Sequence, residues 1–520
     1  MARVQGAVER LIRARVAEHP REPWLLFKDS RYPWQEVLAN VQRAANGLVD
    51  LGVRAGERVA IMMGNRPEFL WVHFAIGFIG AHSVPVNTSQ RGETLRHILA
   101  DSDSVAVIFD PGLRDAVLGV KDQVPSLRAT VIADGKAGGG VDWNLERLFD
   151  HPDREPEAEV KEAAPGVGMM YTSGTTGPPK GVVATGYDMG PLQNILAALG
   201  IKPGETMYTC LPLMHGNALL VSALGTIFLD AKLALAERFS ASRFFDDCRK
   251  HGAVEFNTLG GMIPILMKQS PRPDDRENPV RVVLSAACPA DAWRPFEERF
   301  GLRIVEFYGM VDSPGFLLND GGKPGAMGKP FGGIDFQVVD DDDRPLPAGK
   351  VGELVFRHPR GQLTYYHKLP DATAEAYRGG WFHSGDLAET DSEGFFYFRG
   401  RKKASIRRRG ENISAWEIEN VVNQHTAVLE SAAYAVPSEM GEDEVKVAVV
   451  LKPGASLKPE EVLDFCKGRM AYYAIPRYVE FVKEIPKTET HRVQYGVLRQ
   501  RGITPNDWDR EKAGYQVERN

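Results

Sequence analysis

The chain reads as an α/β protein: a large N-terminal domain of two α/β sheet layers plus a small β-rich unit, then a smaller α/β C-terminal domain. Three observations predict this. Helical-period segments alternate with short β-branched runs over 34–86 and again over 191–308, the pattern of parallel sheets covered by helices. From about Met327 to Gly400 the texture changes to short alternating segments rich in Gly and Pro. Past a basic stretch, helix and strand signals resume in a unit of their own. At 520 residues the chain exceeds what one hydrophobic core fills.

In the first layer, Trp34, Val37, Leu38, Val41, Ala44, Ala45, Leu48 and Leu51 recur at three- and four-residue steps and predict an amphipathic helix. Arg58 to Met63 then reads as a strand, Glu68 to Gly80 as a helix and Ser83 to Val86 as a second strand. In the second layer, strands are expected at Val254 to Thr258, Val282 to Ser285 and Ile304 to Glu306. Ile334 to Val339 and Gly352 to Arg357 supply strands of the β-rich unit. Asp340 to Asp343, followed by Pro345 and isolated from other ligand types, reads as a solvated turn between them rather than a metal site. In the C-terminal unit, Glu417 to Asn423 and Pro459 to Tyr472 read as helices, and Ser431 to Val436, Val445 to Leu451 and Tyr478 to Val482 as strands.

Hydrophobic content of 43% and charged content of 25% belong to an ordinary globular protein and argue against disorder. Cys210, Cys248, Cys288 and Cys466 are scattered without a C-x-x-C pair, which argues against a disulfide framework or a structural zinc site and suits a reducing compartment. No stretch reaches the apolar length of a bilayer span, and Met1 to Pro20 lacks a sustained apolar run, so a cytoplasmic protein is expected. A net charge of −6 gives no global attraction for nucleic acid. Arg399 to Arg409 nevertheless carries seven basic residues in eleven positions. Without interleaved aromatics, that segment favours a ligand phosphate over a nucleic-acid partner, with a solvated linker as the plain alternative.

The segment Tyr171-Thr172-Ser173-Gly174-Thr175-Thr176-Gly177-Pro178-Pro179-Lys180-Gly181 carries most of the functional information. Glycines let the backbone approach a polyanion, hydroxyls donate hydrogen bonds, and Lys180 adds a positive charge. The Walker P-loop is excluded, because Lys180 follows two prolines and precedes Gly181 rather than Ser or Thr. By composition alone the segment could equally be a surface turn. Its order closely resembles the phosphate loop of the adenylate-forming superfamily, which includes acyl-CoA synthetases, adenylation domains of nonribosomal peptide synthetases and luciferases. The resemblance runs from about Arg31 to Arg499, with further segments in family order.

What the resemblance implies can be placed residue by residue. Thr172, Ser173, Gly174, Thr175, Thr176, Gly177 and Lys180 would cradle ATP phosphates. Glu306-Phe307-Tyr308-Gly309-Met310-Val311-Asp312 is similar to the segment holding adenine, α-phosphate and Mg²⁺, normally ending Y-G-x-T-E; Tyr308 and Gly309 would meet the nucleotide, and Thr176 and Asp312 the metal. Here Val311 replaces a threonine and Asp312 a glutamate, with Ser313 next to them. Trp381-Phe382-His383-Ser384-Gly385-Asp386 resembles W-x-x-T-G-D, so that Asp386 would accept from the ribose hydroxyls and Arg401 would contact ribose or phosphate. Leu211 to Gly216 resembles the segment that places a histidine, His215, near the acyl carboxylate. The acid would lie among Asn257, Gly260, Ala287 and Cys288. Arg407, Arg408, Arg409, Gly410 and Glu411 would meet CoA. Pro486 to Arg492 resembles P-K-T-x-T-G-K, with Arg492 in place of the lysine that bridges carboxylate and α-phosphate.

These matches imply an AMP-binding adenylation domain at 1–401 and a mobile C-terminal domain at 402–520, with the hinge near Lys403. Catalytic roles fall to Arg492, His215 and Lys403; His215 would gate the pocket rather than act as a base, since the acid is already ionised. The implied activity is a carboxylic acid–CoA ligase, near the crotonobetaine/carnitine–CoA ligase-like enzymes, using ATP, Mg²⁺ and coenzyme A. The partners expected are a small carboxylic acid and CoA, with no nucleic acid, no membrane span and a homodimer as the assembly carried forward. Two alternatives stay open: a stand-alone adenylation enzyme that loads a carrier protein, and a nucleotide- or acyl-CoA-binding protein whose catalysis is weakened at Val311, Asp312 and Arg492.

Overall fold

The computed structural model describes residues 6–158, 160, 168–172, 178–184, 190–259, 261–401, 405–409, 411–438, 442–486, 493 and 495–518. Two large sheets dominate the N-terminal part. One has nine strands in the order Lys329–Pro330, Leu317–Asn319, Arg303–Tyr308, Val282–Ala286, Ala253–Leu259, Thr206–Thr209, Lys232–Leu235, Pro23–Phe27 and Ser30–Pro33. Its centre is parallel, and only its two edges turn antiparallel. The other has five parallel strands, His82–Pro85, Arg58–Met62, Ser104–Phe109, Ala129–Ile132 and Trp143–Asn144.

The helix predicted from Trp34 spans Trp34–Asp50 and buries Trp34, Val37, Val41, Ala44, Ala45 and Leu48 of the periodic set, while Leu38 is half-buried and Leu51 caps its end. The next helix, Pro67–Phe78, is buried on nearly every face. One continuous core holds these helices and both sheets together, including Leu25, Phe256 and Ile304 from one sheet and Val59, Ile108 and Val131 from the other. Trp24 stacks on Trp34 at 5.2 Å between ring centroids and donates its indole N–H to Thr226 Oγ1 at 3.0 Å, so a large apolar body is buried without stranding its polar atom.

A three-stranded antiparallel sheet, Thr364–Tyr366, Lys180–Ala184 and Met169–Thr172, lies beside the five-stranded one. Gly168, at φ 69°, leads into it; a Cβ there would fall 2.0 Å from the Ser83 carbonyl oxygen, so only glycine fits. The β-rich unit is a four-stranded antiparallel sheet, Asp335–Val339, Gly352–Arg357, Phe382–Thr390 and Phe396–Arg401, packed on Phe336, Phe356, Phe382 and Phe396. Its acidic turn closes on itself, Asp340 Oδ1 accepting from the N–H groups of Asp342 and Arg344 at 2.9 Å each.

The C-terminal unit builds a four-stranded sheet, Val428–Pro437, Asp443–Leu451, Tyr478–Phe481 and Trp508–Asp509, with helices Ala415–Val422 and Pro459–Cys466 against it. The second helix ends six residues before the predicted Tyr472, because Lys467 leaves helical geometry at ψ 133° and Gly468 turns the chain at φ 70°. The hairpin Ser405–Arg408 and Glu411–Ser414 joins this unit to the rest. Among the described residues, no helix is long and apolar enough to cross a membrane.

Candidate active site

A cleft of about 1460 Å³ opens where the nine-stranded sheet, the three-stranded sheet, the β-rich unit and the C-terminal hairpin meet. The phosphate-loop segment enters it as a hairpin: Thr172 pairs with Lys180 and Tyr171 with Gly181. The tip, Ser173, Gly174, Thr175, Thr176 and Gly177, lies outside the described residues, as do Gly260, Lys403, Gly410 and Arg492. At the hairpin base, Thr172 Oγ1 donates to Asp312 Oδ1 at 3.2 Å, and Lys180 Nζ sits 4.5 Å from the centre of the Tyr366 ring.

Asp312 follows the parallel strand Arg303–Tyr308, so the sheet carries it to the carboxyl end, where open α/β sheets place ligands. Tyr366 donates to the same Oδ1 at 2.9 Å, and among the described residues no cation pairs with Asp312. A carboxylate on the cleft wall beside the 172–180 hairpin fits a hard divalent cation, whose preferred ligands are oxygens. Tyr308, at the end of that strand, donates to Asp386 Oδ2 at 2.7 Å, joining the nine-stranded sheet to the β-rich unit. Asp386 is 2% exposed, and its N–H donates to Ser384 Oγ at 3.1 Å across a turn in which Gly385 takes φ 71°. Arg401 is its register partner on the neighbouring strand.

Ala287 and Cys288 form a tight turn after the strand Val282–Ala286. Ala287 takes φ 70°, a left-handed conformation that an alanine adopts only when held there. Glu306 holds it, accepting from the Ala287 N–H and from the Cys288 N–H, the latter at 3.2 Å. Burial pushes the Glu306 carboxyl up to about 8, against the hydrogen bonds that favour its ionised form.

His215 and Gly216 precede a stretch wound as a π-helix, Asn217–Leu224, a distortion that recurs at functional sites. Gly216 makes room for Val311: a Cβ there would lie 3.0 Å from Val311 Cγ2. The wall beside His215 is made by Asn217, Leu220, Val221, Leu259 and Val311. Asn257, expected to line the pocket, is 1% exposed and sits behind this wall, donating to Asn217 Oδ1 at 2.6 Å and Ser222 Oγ at 3.0 Å. Its parallel strand points it inward, and Asn217 takes the place at the surface. No motif marked Asn217 in advance; only the run of apolar residues after His215 hinted at a wall.

The C-terminal unit closes the cleft opposite. His215 Nε2 lies 3.1 Å from Glu411 Oε1, and Asn87 donates to Tyr473 Oη at 2.9 Å across the same boundary. Although burial opposes it, the Glu411 carboxylate holds His215 above its ordinary value. Glu417 lies close by, pushed up to about 7 by burial and by the charge of Glu411. The three arginines expected to meet CoA divide. Arg407 borders the cleft and Arg409 is exposed. Arg408 is corrected to a core residue: at 1% exposure it pairs with Glu444 at 2.7 Å and donates to the carbonyls of Tyr473 and Ile475 at 2.9 and 3.0 Å. Strand alternation turns it, with Ile406, to the opposite face from Arg407.

The model of the AMP-binding enzymes matches residues 12–366, and that of their C-terminal domain matches residues 417–492. The chain belongs to the AMP-binding enzyme family. It is 30% identical over 472 residues to a crotonobetaine/carnitine–CoA ligase of Escherichia coli O157:H7 (strain EC4115 / EHEC), covering 88% of this chain and 91% of the relative. Its fold matches a double mutant of o-succinylbenzoate CoA synthetase from Bacillus subtilis, bound with a product analogue, at a TM-score of 0.81 and 24% identity over 95% of this chain and 98% of that one. It also matches ATP-bound MatB from Rhodopseudomonas palustris at a TM-score of 0.66 and 25% identity, over 97% and 99%. It is an acid–thiol ligase, of the class that forms an acyl-AMP and then an acyl-CoA with ATP and CoA.

Proposed function

We propose that this AMP-binding enzyme activates a short carboxylic acid, binding ATP between the 172–180 hairpin and Asp386 and the acid beside His215. The observation that carries the reading is that one cleft collects Thr172, Lys180, Asp312, the Tyr308–Asp386 pair and His215, which lie far apart in the chain. Asp386 receives the ribose hydroxyls and Tyr308 orients it. The turn at Ala287 and Cys288 borders the same cleft. Asn217, Leu220, Val221, Leu259 and Val311 make a small, mostly apolar wall, which suits a short acid body.

Asp312, with Thr176, would hold Mg²⁺, which when bound offsets the negative charge of the phosphates. The acid arrives as a carboxylate, so no base is needed; one carboxylate oxygen attacks the α-phosphorus and pyrophosphate leaves. Lys180 and Arg492 supply fixed positive charge where two anions meet. The C-terminal domain, from residue 402, then turns about Lys403 and brings Glu411 and Arg407 to the cleft. The CoA thiol attacks the acyl carbon, AMP leaves, and the thiol proton is released. The His215–Glu411 contact supports assigning the observed arrangement to this second step.

ATP–pyrophosphate exchange with a panel of short acids, followed by CoA addition, tests the reading. Exchange with at least one acid and acyl-CoA formation are expected. Exchange without transfer to CoA favours carrier-protein loading, and nucleotide binding without exchange favours the weakened-catalysis reading. Arg492→Ala should lower exchange by about 10²–10³-fold, the usual effect of removing one preorganised charge-stabilising donor.

A further inference from the structure

Asp312 is held unusually firmly for a carboxylate on a cleft wall. Its Oδ1 accepts from Tyr366 at 2.9 Å and from Thr172 at 3.2 Å. Its backbone carbonyl accepts from Thr364 Oγ1, which also meets Tyr377 Oη at 2.7 Å, and Tyr377 donates to Ser313 Oγ at 3.2 Å. The strand Thr364–Tyr366 therefore grips both the main chain and the side chain of Asp312. Both side-chain donors fall on Oδ1, which leaves Oδ2 without a hydrogen-bond donor among the described residues.

The same tyrosine reaches the phosphate hairpin. Its ring face lies 4.5 Å from Lys180 Nζ, within cation–π range. Register explains how one side chain serves both: Tyr366 pairs with Val182 on the strand that begins at Lys180. A tyrosine hydroxyl is protonated at physiological pH, so it stays a donor to Asp312. Aspartate is one methylene shorter than the glutamate that the resemblance leads one to expect here. A short carboxylate has fewer torsions to adjust, so its aim depends more on what holds it.

We propose that Tyr366 is a positioning residue for nucleotide and metal together: its hydroxyl turns Asp312 so that Oδ2 faces a divalent cation on ATP, while its ring holds Lys180 beside the phosphates. The inference rests on the proposed function, and its test separates the two.

Mn²⁺ is the probe, with its binding to the protein–ATP complex read by electron paramagnetic resonance and ATP binding in EDTA read by calorimetry. Tyr366→Phe keeps the ring and removes the hydroxyl. It should weaken Mn²⁺ binding by about tenfold, as expected for losing a hydrogen bond to a charged group, and leave ATP affinity in EDTA within about twofold. Tyr366→Leu removes both contacts and should in addition weaken ATP binding in EDTA by about threefold, the size of a modest cation–π contact. Thr172→Val, which removes the other donor to Oδ1, gives a second reading of the same carboxylate should Tyr366→Phe fail to fold; a several-fold loss of Mn²⁺ affinity is expected there too. Wild-type Mn²⁺ affinity in folded Tyr366→Phe overturns the inference alone, as does unchanged affinity in Thr172→Val if Tyr366→Phe does not fold. A wild-type protein that binds neither ATP nor Mn²⁺ overturns the proposed function with it.

Discussion

His215 Nε2 and Glu411 Oε1 stand 3.1 Å apart, although 196 residues separate them and they belong to different domains. The pair ties the cleft wall at His215 to the C-terminal hairpin. Its two pKa shifts agree in sense: His215 is raised, and Glu411, despite the opposing effect of burial, is lowered by His215. Their mutual attraction is thus present between the lowered Glu411 value and the raised His215 value.

Docking of the C-terminal domain should weaken as pH rises. The contribution of His215 is complete below its ordinary value, about 6.5, and is lost as pH climbs through the raised one. Glu417 acts in the same direction, since its carboxyl, pushed up to about 7, holds a proton when docked that an exposed carboxyl would release. Protection of the basic segment 399–409 from trypsin should therefore fall between about pH 6 and pH 8. Glu411→Gln should be less protected at the acid end and flatter across the range. Equal profiles in both proteins would rule out the pair as a docking contact.

Arg407 and Arg408 should separate cleanly. Arg408→Ala leaves the buried Glu444 carboxylate with only the longer Arg477 contact at 3.8 Å and should cost up to about 3–5 kcal/mol of stability, seen as a large fall in melting temperature. Arg407→Ala should leave melting nearly unchanged and raise KM for CoA severalfold. A raised KM for CoA in folded Arg408→Ala at unchanged melting temperature would contradict the structural role.

The Ala287 turn makes two opposite predictions. Ala287→Gly relieves the left-handed conformation and should be neutral or stabilising by up to about 1 kcal/mol. Glu306 is the pH-dependent element. Its folded value of about 8 exceeds the ordinary carboxylate value, so folding binds a proton and stability declines as pH rises toward 8. Glu306→Gln should flatten the dependence of melting temperature between about pH 5 and pH 8, and an unchanged slope would show that other groups govern it.

Val311→Thr should be tolerated, because threonine matches valine in shape where Val311 packs beside Gly216. Exchange should stay equal or rise, a hydroxyl restoring a donor toward the α-phosphate worth on the order of 1 kcal/mol. Gly216→Ala is the counterpart: its methyl meets Val311 Cγ2 at 3.0 Å and should slow exchange. A large loss in Val311→Thr with the fold intact would mean that the cleft is rebuilt around the valine.

What the sequence by itself determined was local in nature. The helix at Trp34–Asp50, the parallel strands at Arg58–Met62 and Val282–Ala286 and the acidic turn at Asp340–Asp343 follow from periodicity and turn chemistry, which are properties of neighbouring residues, whereas the order of the motif segments was read from their resemblance to the adenylate-forming enzymes. Tertiary structure alone decided which side of an element a residue faces and what lies across from it. Arg407 and Arg408 are adjacent and alike, yet strand alternation sends one to the cleft and the other into the core. Asn257 sits one layer deep because its strand is central, and Asn217 replaces it at the surface. Tyr366 meets Asp312, and His215 meets Glu411, only because sheets and domains far apart in sequence close on one cleft. Such contacts depend on the packing of whole layers, and no single stretch of residues encodes them.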